Sequence, residues 1–234
     1  MKNNKTILKQ EREKIFSLFI RKHKLKFCEI EKEVGIRSNN LTYHIQKMVD
    51  EDILEKNGEY YLLTREAEKI IPFFAHITGK EQGCLPVVVI AIIKDNKICL
   101  LKREKRPYKD YWGMIGGKLK HSETVEETAV REAEEETGLK CVFEKVNAVL
   151  HERLIEDKVI KNSLVIFFCN VSSESFNISR SEEGEVKWFD LDNLPEDIIP
   201  SDKLMIDELL NKSLCFKEVV MEEKDHKLVR MDVW

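Results

Sequence analysis

The sequence predicts an α+β chain of two domains. Three observations carry that expectation. Residues 6–22 and 41–49 place apolar side chains at helical spacing among charged ones. The connector Thr78-Gly79-Lys80-Glu81-Gln82-Gly83 is polar and glycine-containing, as linkers are. Beyond it, apolar strand-like runs surround one long acidic helical stretch. The expected domains are residues 1–80 and 85–234. A chain of 234 residues with 42% hydrophobic residues can bury a core in each.

In the first domain, Ile7, Leu8, Ile15, Phe16, Leu18, Phe19 and Ile20 mark a helix. A second runs over about 27–34, with Ile30 and Val34 inward, and Gly35 breaks it. Ser38 or Asn39 caps a third, which reaches about Asp52 and carries Leu41, Ile45, Met48 and Val49 on one face. Residues 53–56 and 60–63 form a hairpin around Asn57-Gly58, a strong turn signal. Thr64 caps a last helix to about Phe74, bent at Pro72.

In the second domain, Val87–Ile93 reads as a buried strand, Asp95-Asn96 as a turn and Ile98–Lys102 as the return strand. Cys141–Leu150, Leu164–Val171 and Val186–Phe189 are further strands. Pro200-Ser201 opens a helix over about 202–211, and Phe216–Met221 with Leu228–Val233 makes a terminal hairpin around Lys224-Asp225.

The segment from Gly117 to Leu139 carries the chemistry. It predicts a helix directly after a Gly-Gly turn, with Glu132, Glu135 and Glu136 at i, i+3 and i+4. Three carboxylates side by side repel one another. A hard divalent cation relieves that repulsion and usually works on substrate phosphates. Thr124 with Glu127 completes a capping box, and Gly138 supplies the C-terminal stop. Gly116-Gly117 lets backbone approach a cation or phosphate closely.

The same segment resembles the Nudix box, G-x5-E-x7-R-E-U-x-E-E-x-G-U with U aliphatic. It matches at Gly117, Glu123, Arg131, Glu132, Ala133, Glu135, Glu136, Gly138 and Leu139. The resemblance covers about 85–212. It implies an α/β/α sandwich with a mixed sheet, and Mg²⁺ or Mn²⁺ bound by Glu132, Glu135, Glu136 and the Gly116 carbonyl. Arg131 would then orient a glutamate, and Glu123 would steady the turn into the helix. The reaction implied is attack of metal-activated water on a nucleoside diphosphate linked to a group X. The base is Glu132 or one of Glu182, Glu183 and Glu185 in the loop before Val186. Lys102, Arg103, Lys105 and Arg106 are candidates for substrate phosphate, of which Arg103 and Arg106 are preferred. Ile115 stands where many members of the family have proline. The base or sugar of the substrate has no readable code in the sequence.

The order helix, helix-Gly-helix, hairpin, helix resembles the winged helix-turn-helix domains of bacterial and archaeal transcription regulators, over Gly35 to Thr64. The resemblance implies that Arg37, Ser38, Asn39, Asn40, Thr42, Tyr43 and His44 face duplex DNA, with Lys47 near a phosphate. Such domains also serve as dimerisation or docking modules, and a homodimer is the default. Residues 1–26 hold nine basic and two acidic side chains against a net charge of −4 for the chain. That asymmetry fits either a polyanion partner or a solvated basic helix. Two function classes follow: a nucleotide pyrophosphohydrolase, or a transcription regulator whose second domain senses a nucleotide such as ADP-ribose.

Six scattered cysteines without a C-x-x-C pair argue against a metal cluster and for a reducing, cytoplasmic setting. The N-terminus lacks an apolar signal region. The apolar run Leu85–Ile93 is too short to span a bilayer, so no membrane partner is expected.

Overall fold

The computed structural model describes the chain apart from residues 1–6, 8, 106–107, 180–182, 215, 217–218, 225–226 and 234. It divides into two compact units, residues 1–83 and 84–234.

The first unit begins with helix α1 (Gln10–Arg21), which buries Ile15, Phe16 and Phe19 along one stripe. A short strand β1 (Lys24–Lys26) follows, then α2 (Phe27–Val34) and α3 (Ser38–Asp50). β1 was not expected; Lys-Leu-Lys carries little strand signal. It forms because its backbone pairs with β3, Lys24 opposite Leu62. The Lys26 amide donates to Glu29 Oε2 at 2.7 Å at the start of α2, and Gly35 ends that helix with φ 69°. Ser38 is the first residue of α3, and the residue before the helix is Arg37. The expected Ser38 or Asn39 cap is therefore displaced by one or two positions, and the Ser38 hydroxyl bonds Glu31 instead.

Strands β2 (Leu54–Asn57) and β3 (Tyr60–Leu63) pair antiparallel, with Asn57 opposite Tyr60. The two-residue turn is thus Gly58-Glu59, and Gly58 takes φ 61°. Thr64 Oγ1 accepts from the Ala67 amide at 3.2 Å and starts α4 (Arg65–Glu68). The single helix expected to Phe74 is instead three pieces: α4, a 3₁₀ turn Ile71–Phe73, and α5 (Phe74–Ile77). Pro72 lacks the amide hydrogen that would continue the helix and crowds the preceding turn. Phe16, Leu25, Ile30, Leu41, Met48, Ile53 and Leu54 make the core, with Phe16 stacked on Phe74 at 4.8 Å between ring centroids.

The second unit is built on a six-stranded mixed sheet. Its strands are β4 (Leu85–Lys94), β5 (Lys97–Arg103), β6 (Trp112–Lys118), β7 (Cys141–Glu156), β8 (Val159–Ser173) and β9 (Gly184–Asp190), in the spatial order β7-β8-β4-β6-β5-β9. β4 and β8 run parallel; the other neighbours are antiparallel. Helix α6 (Val125–Thr137) covers one face through Val125, Ala129 and Ala133. Small residues there let the helix approach the sheet closely. Helix α7 (Pro200–Leu204) and the π-helical turn Met205–Leu209 cover the other face through Met205, Ile206 and Leu210. This gives three layers. Asn147 Nδ2 donates to the carbonyl oxygens of Leu209 and Leu210 and fixes the end of that turn. β10 (Val219–Lys224) and β11 (Lys227–Val233) form a separate hairpin. Asp225 of its expected turn lies outside the described residues.

β6 corrects one expectation. The glycine-rich run before α6 reads as a turn, yet Gly116 and Gly117 are strand residues, paired with Val89 and Val88 of β4. Strand pairing tolerates glycine where two elements meet closely.

Candidate active site on α6

The first helical turn of α6 is closed by a reciprocal pair. Thr124 Oγ1 accepts from the Glu127 amide at 3.1 Å, and Glu127 Oε2 accepts from the Thr124 amide at 2.8 Å. Gly138 ends the helix with φ 71°, its amide bonded to the Glu134 carbonyl at 2.8 Å. A Cβ at Gly138 would also meet the Ser179 side chain.

Arg131 is the hub between these ends. Its Nε and Nη2 donate to the two oxygens of Glu123, both at 2.8 Å, as a bidentate pair. Its Nη1 donates to Glu132 Oε1 at 2.6 Å and to Glu135 Oε2 at 2.9 Å. Glu123 also accepts from Thr128 Oγ1 at 3.0 Å. The Arg131 guanidinium and these hydrogen bonds hold the Glu123 carboxyl at about 2. The same acids push Arg131 further above its usual range, Glu123 most strongly.

Glu132 reaches from α6 to the backbone of β6. A Cβ at Gly117 would fall on the Glu132 carboxylate. A Cβ at Gly116 would lie 2.6 Å from the Val88 carbonyl oxygen of the neighbouring strand. The two glycines are therefore needed for different reasons: Gly117 admits the carboxylate, and Gly116 admits β4. Glu135 is exposed and Glu136 is half-buried. All three acids offer hard oxygen donors, the kind Mg²⁺ and Mn²⁺ take. Among the described residues, no three His, Cys, Asp or Glu side chains yet converge as a metal cage. Arg131 holds two of the acids instead. In donor chemistry the residues fit a divalent cation, and Gly117 leaves room for the Glu132 carboxylate against β6.

The other sequence candidates fall elsewhere. Glu185 lies on β9 opposite Lys102 and pairs with Lys187 at 2.6 Å. Strand alternation sets it with Lys102, Lys187 and Trp112, whose cation–π contacts lie on the face away from α6. Glu183 pairs with Lys105 at 2.6 Å, and Lys102 with Asp197 at 3.1 Å. Arg106, Ser181 and Glu182 lie outside the described residues. Arg103, the last residue of β5, acts electrostatically on Tyr108 and Asp202.

Asp202 does not stand out in the sequence, because an acid in a first helical turn is ordinary. It is 7% exposed, and its Oδ2 accepts from the Met114 amide at 2.6 Å. The segment before α7 completes this docking on β6: the Trp112 amide donates to the Asp197 carbonyl and the Ile199 amide to the Trp112 carbonyl. A Cβ at Gly113 would collide with Ile199 and Asp202. Burial raises the Asp202 carboxyl to about 7, with Glu152 adding to the shift and the Met114 amide and Arg103 opposing it. Tyr108 donates to Glu152 Oε1 at 2.9 Å, which ties the loop after β5 to β7.

In the first unit, Arg37, Ser38, Asn39, Asn40, Thr42, Tyr43 and Lys47 are exposed. His44 is not: it is 6% exposed, and its Nδ1 accepts from Arg12 Nε at 3.3 Å. Helical periodicity puts it with Leu41, Ile45 and Met48 on the inward face. Burial lowers its pKa.

Comparison with known proteins adds the family. The profile described as NUDIX domain matches residues 85–209. An ADP-ribose pyrophosphatase of Methanocaldococcus jannaschii is 36% identical over 124 residues, 52% of this chain and 71% of that one. An 8-oxo-dGTP diphosphatase of Buchnera aphidicola is 32% identical over 132 residues, 56% of this chain and 96% of that one. A MutT NUDIX hydrolase structure from Burkholderia pseudomallei is similar at 25% identity and TM-score 0.47, covering 53% of this chain and 97% of that one. With its box helix seated against β6 and a family match over more than half its length, the chain belongs to the Nudix hydrolases, enzymes that act on phosphoric anhydride bonds.

Proposed function

We propose that the second unit is a divalent-cation-dependent pyrophosphohydrolase of a nucleoside diphosphate linked to a further group. The observation that carries this is the Glu132 carboxylate lying where a Gly117 side chain would be, within an acid set organised by Arg131. Glu132, Glu135, Glu136 and the Gly116 carbonyl would hold Mg²⁺ or Mn²⁺. When bound, the cation lowers the pKa of a water and neutralises charge on the leaving phosphate. Arg131 orients Glu132 and Glu135, and its bidentate pair with Glu123 keeps the guanidinium in place. Glu132 is the preferred base over Glu185, which alternation sets on the other face. The test is a Mg²⁺-dependent hydrolysis screen that starts with ADP-ribose and 8-oxo-dGTP, the substrates after which two relatives are named. Nucleoside triphosphates, nucleotide sugars and dinucleoside polyphosphates follow, with Glu136→Gln as control. A hit abolished by the substitution supports the reading; equal turnover by the variant overturns the metal assignment.

For the first unit, the reading is a winged helix-turn-helix that meets duplex DNA through α3. What supports it is the order of α1, α2, α3 and the β2–β3 hairpin, and the exposure of Arg37, Asn39, Asn40, Thr42, Tyr43 and Lys47 together. With that role the hydrolase turns over, or senses, a nucleotide that alters DNA binding. Gel-shift titration with random duplex DNA tests it; no binding at low salt removes it.

A further inference from the structure

Three side chains outside the acid set meet on the sheet of the second unit. Cys84 directly precedes β4, His151 lies in β7 and Ser163 in β8. Register explains the meeting. Leu85 of β4 lies beside Leu164 of β8, so Cys84 and Ser163 are one step earlier on adjacent parallel strands. Arg153 of β7 lies opposite Ser163, which puts His151 on the diagonal of the same face. Cys84 Sγ is 3.0 Å from Ser163 Oγ and 3.5 Å from His151 Nε2, and His151 Nε2 is 3.0 Å from Ser163 Oγ. The three atoms close a triangle.

The sulfur–nitrogen edge has a specific size. Bonds of about 2.3 Å to thiolate and about 2.0–2.1 Å to imidazole, at a tetrahedral angle, put the two donors about 3.5 Å apart. Cys84 and His151 already stand at that separation, on an exposed surface where water can complete the coordination. The thiols of Cys99, Cys141 and Cys169 offer no such site. Burial pushes them up to about 12, 11 and 12, which keeps them protonated. The donor set also differs in kind from the acids of α6: a thiolate and an imidazole select softer ions than carboxylates do.

We propose that Cys84 and His151, with Ser163 beside them, form a second metal site, for Zn²⁺ or a similar thiophilic ion. On binding, the Cys84 thiol gives its proton to solvent and the thiolate and neutral His151 Nε2 become ligands. The Ser163 hydroxyl holds a third corner, as a weak ligand or as a hydrogen-bond donor to the thiolate. The ion ties together the entry of β4 and the β7–β8 hairpin.

The test uses the full metal-free chain in excess Mg²⁺, which occupies the hard acid set. Co²⁺ is titrated as a spectroscopic stand-in for Zn²⁺, and the thiolate-to-metal charge-transfer band is followed in the near ultraviolet. The expected result is a band that saturates at one equivalent and is displaced by Zn²⁺. It disappears in Cys84→Ser, weakens roughly tenfold or more in His151→Ala, and is unchanged in Cys28→Ser and Glu136→Gln. Circular dichroism checks that each variant is folded. No band in the wild type, a band that survives Cys84→Ser, or wild-type affinity in His151→Ala overturns the proposal.

Discussion

Gly117→Ala places a methyl group where the Glu132 carboxylate sits, so the carboxylate must move. Displacements of about 1 Å near reacting atoms cost about 10²-fold in rate. Turnover of the screened substrate is expected to fall by that order while the circular dichroism spectrum stays native. Gly116→Ala behaves differently. Its methyl group meets the Val88 backbone, which cannot rotate away, so a stability loss of about 1–3 kcal/mol is expected in denaturant titration. Asp202 gives a pH signature. Its folded value of about 7 lies above the ordinary 3.8, so between those values the unfolded chain ionises while the folded one keeps its proton. Stability from this group is full at low pH and declines as pH rises towards 7, by about 2–4 kcal/mol. Burial is the main cause of the Asp202 shift, with Glu152 adding to it and Arg103 opposing it. Asp202→Asn is expected to flatten the difference in unfolding free energy between pH 5 and pH 8; an unchanged difference would assign it to other groups. At this scale the box acids were legible because their spacing is fixed by one helix. Asp202 was not, because it depends on a partner distant in sequence, Met114. The inward turn of His44 was open to the helical period it shares with Leu41, Ile45 and Met48, and the winged-helix resemblance set it toward DNA instead.

The caps of α6 set the register of its acids. Thr124→Ala removes the acceptor of the Glu127 amide and is expected to cost about 1 kcal/mol. Gly138→Ala forces a side chain into the left-handed region and against Ser179, at about 1–2 kcal/mol. Both are read in urea unfolding, and losses below a few tenths would show that sheet packing alone holds the helix. These caps, the strands β4 and β8 and the hairpin β2–β3 were legible, since apolar period and turn residues are local signals. β1 and β6 were not. β1 has two lysines in three residues, and β6 has three glycines in seven. Each is a strand because neighbouring backbones pair with it, a tertiary fact that no local propensity carries. The break of the helix after Thr64 into three pieces was legible only as a bend at Pro72.

The chain as a whole holds separate cores, one drawn from residues 7–74 and the others from the second unit. No helix among the described residues is long and apolar enough to cross a membrane. The division into two units allows their functions to be tested separately. Arg37→Ala with Lys47→Ala is expected to weaken duplex DNA binding and to lower the slope of log K against log salt by about 0.9 for each phosphate no longer neutralised. Hydrolysis should be unaffected; an unchanged salt slope removes α3 from the DNA reading. The most direct measurement for the molecule as a hydrolase is Mg²⁺-dependent turnover of ADP-ribose and 8-oxo-dGTP by the wild type and by Glu132→Gln, with folding checked in parallel. Wild-type turnover is expected to vanish with chelator and to fall by orders of magnitude in the folded variant. Undiminished turnover in Glu132→Gln would contradict a cation held and a water activated by the acids of α6.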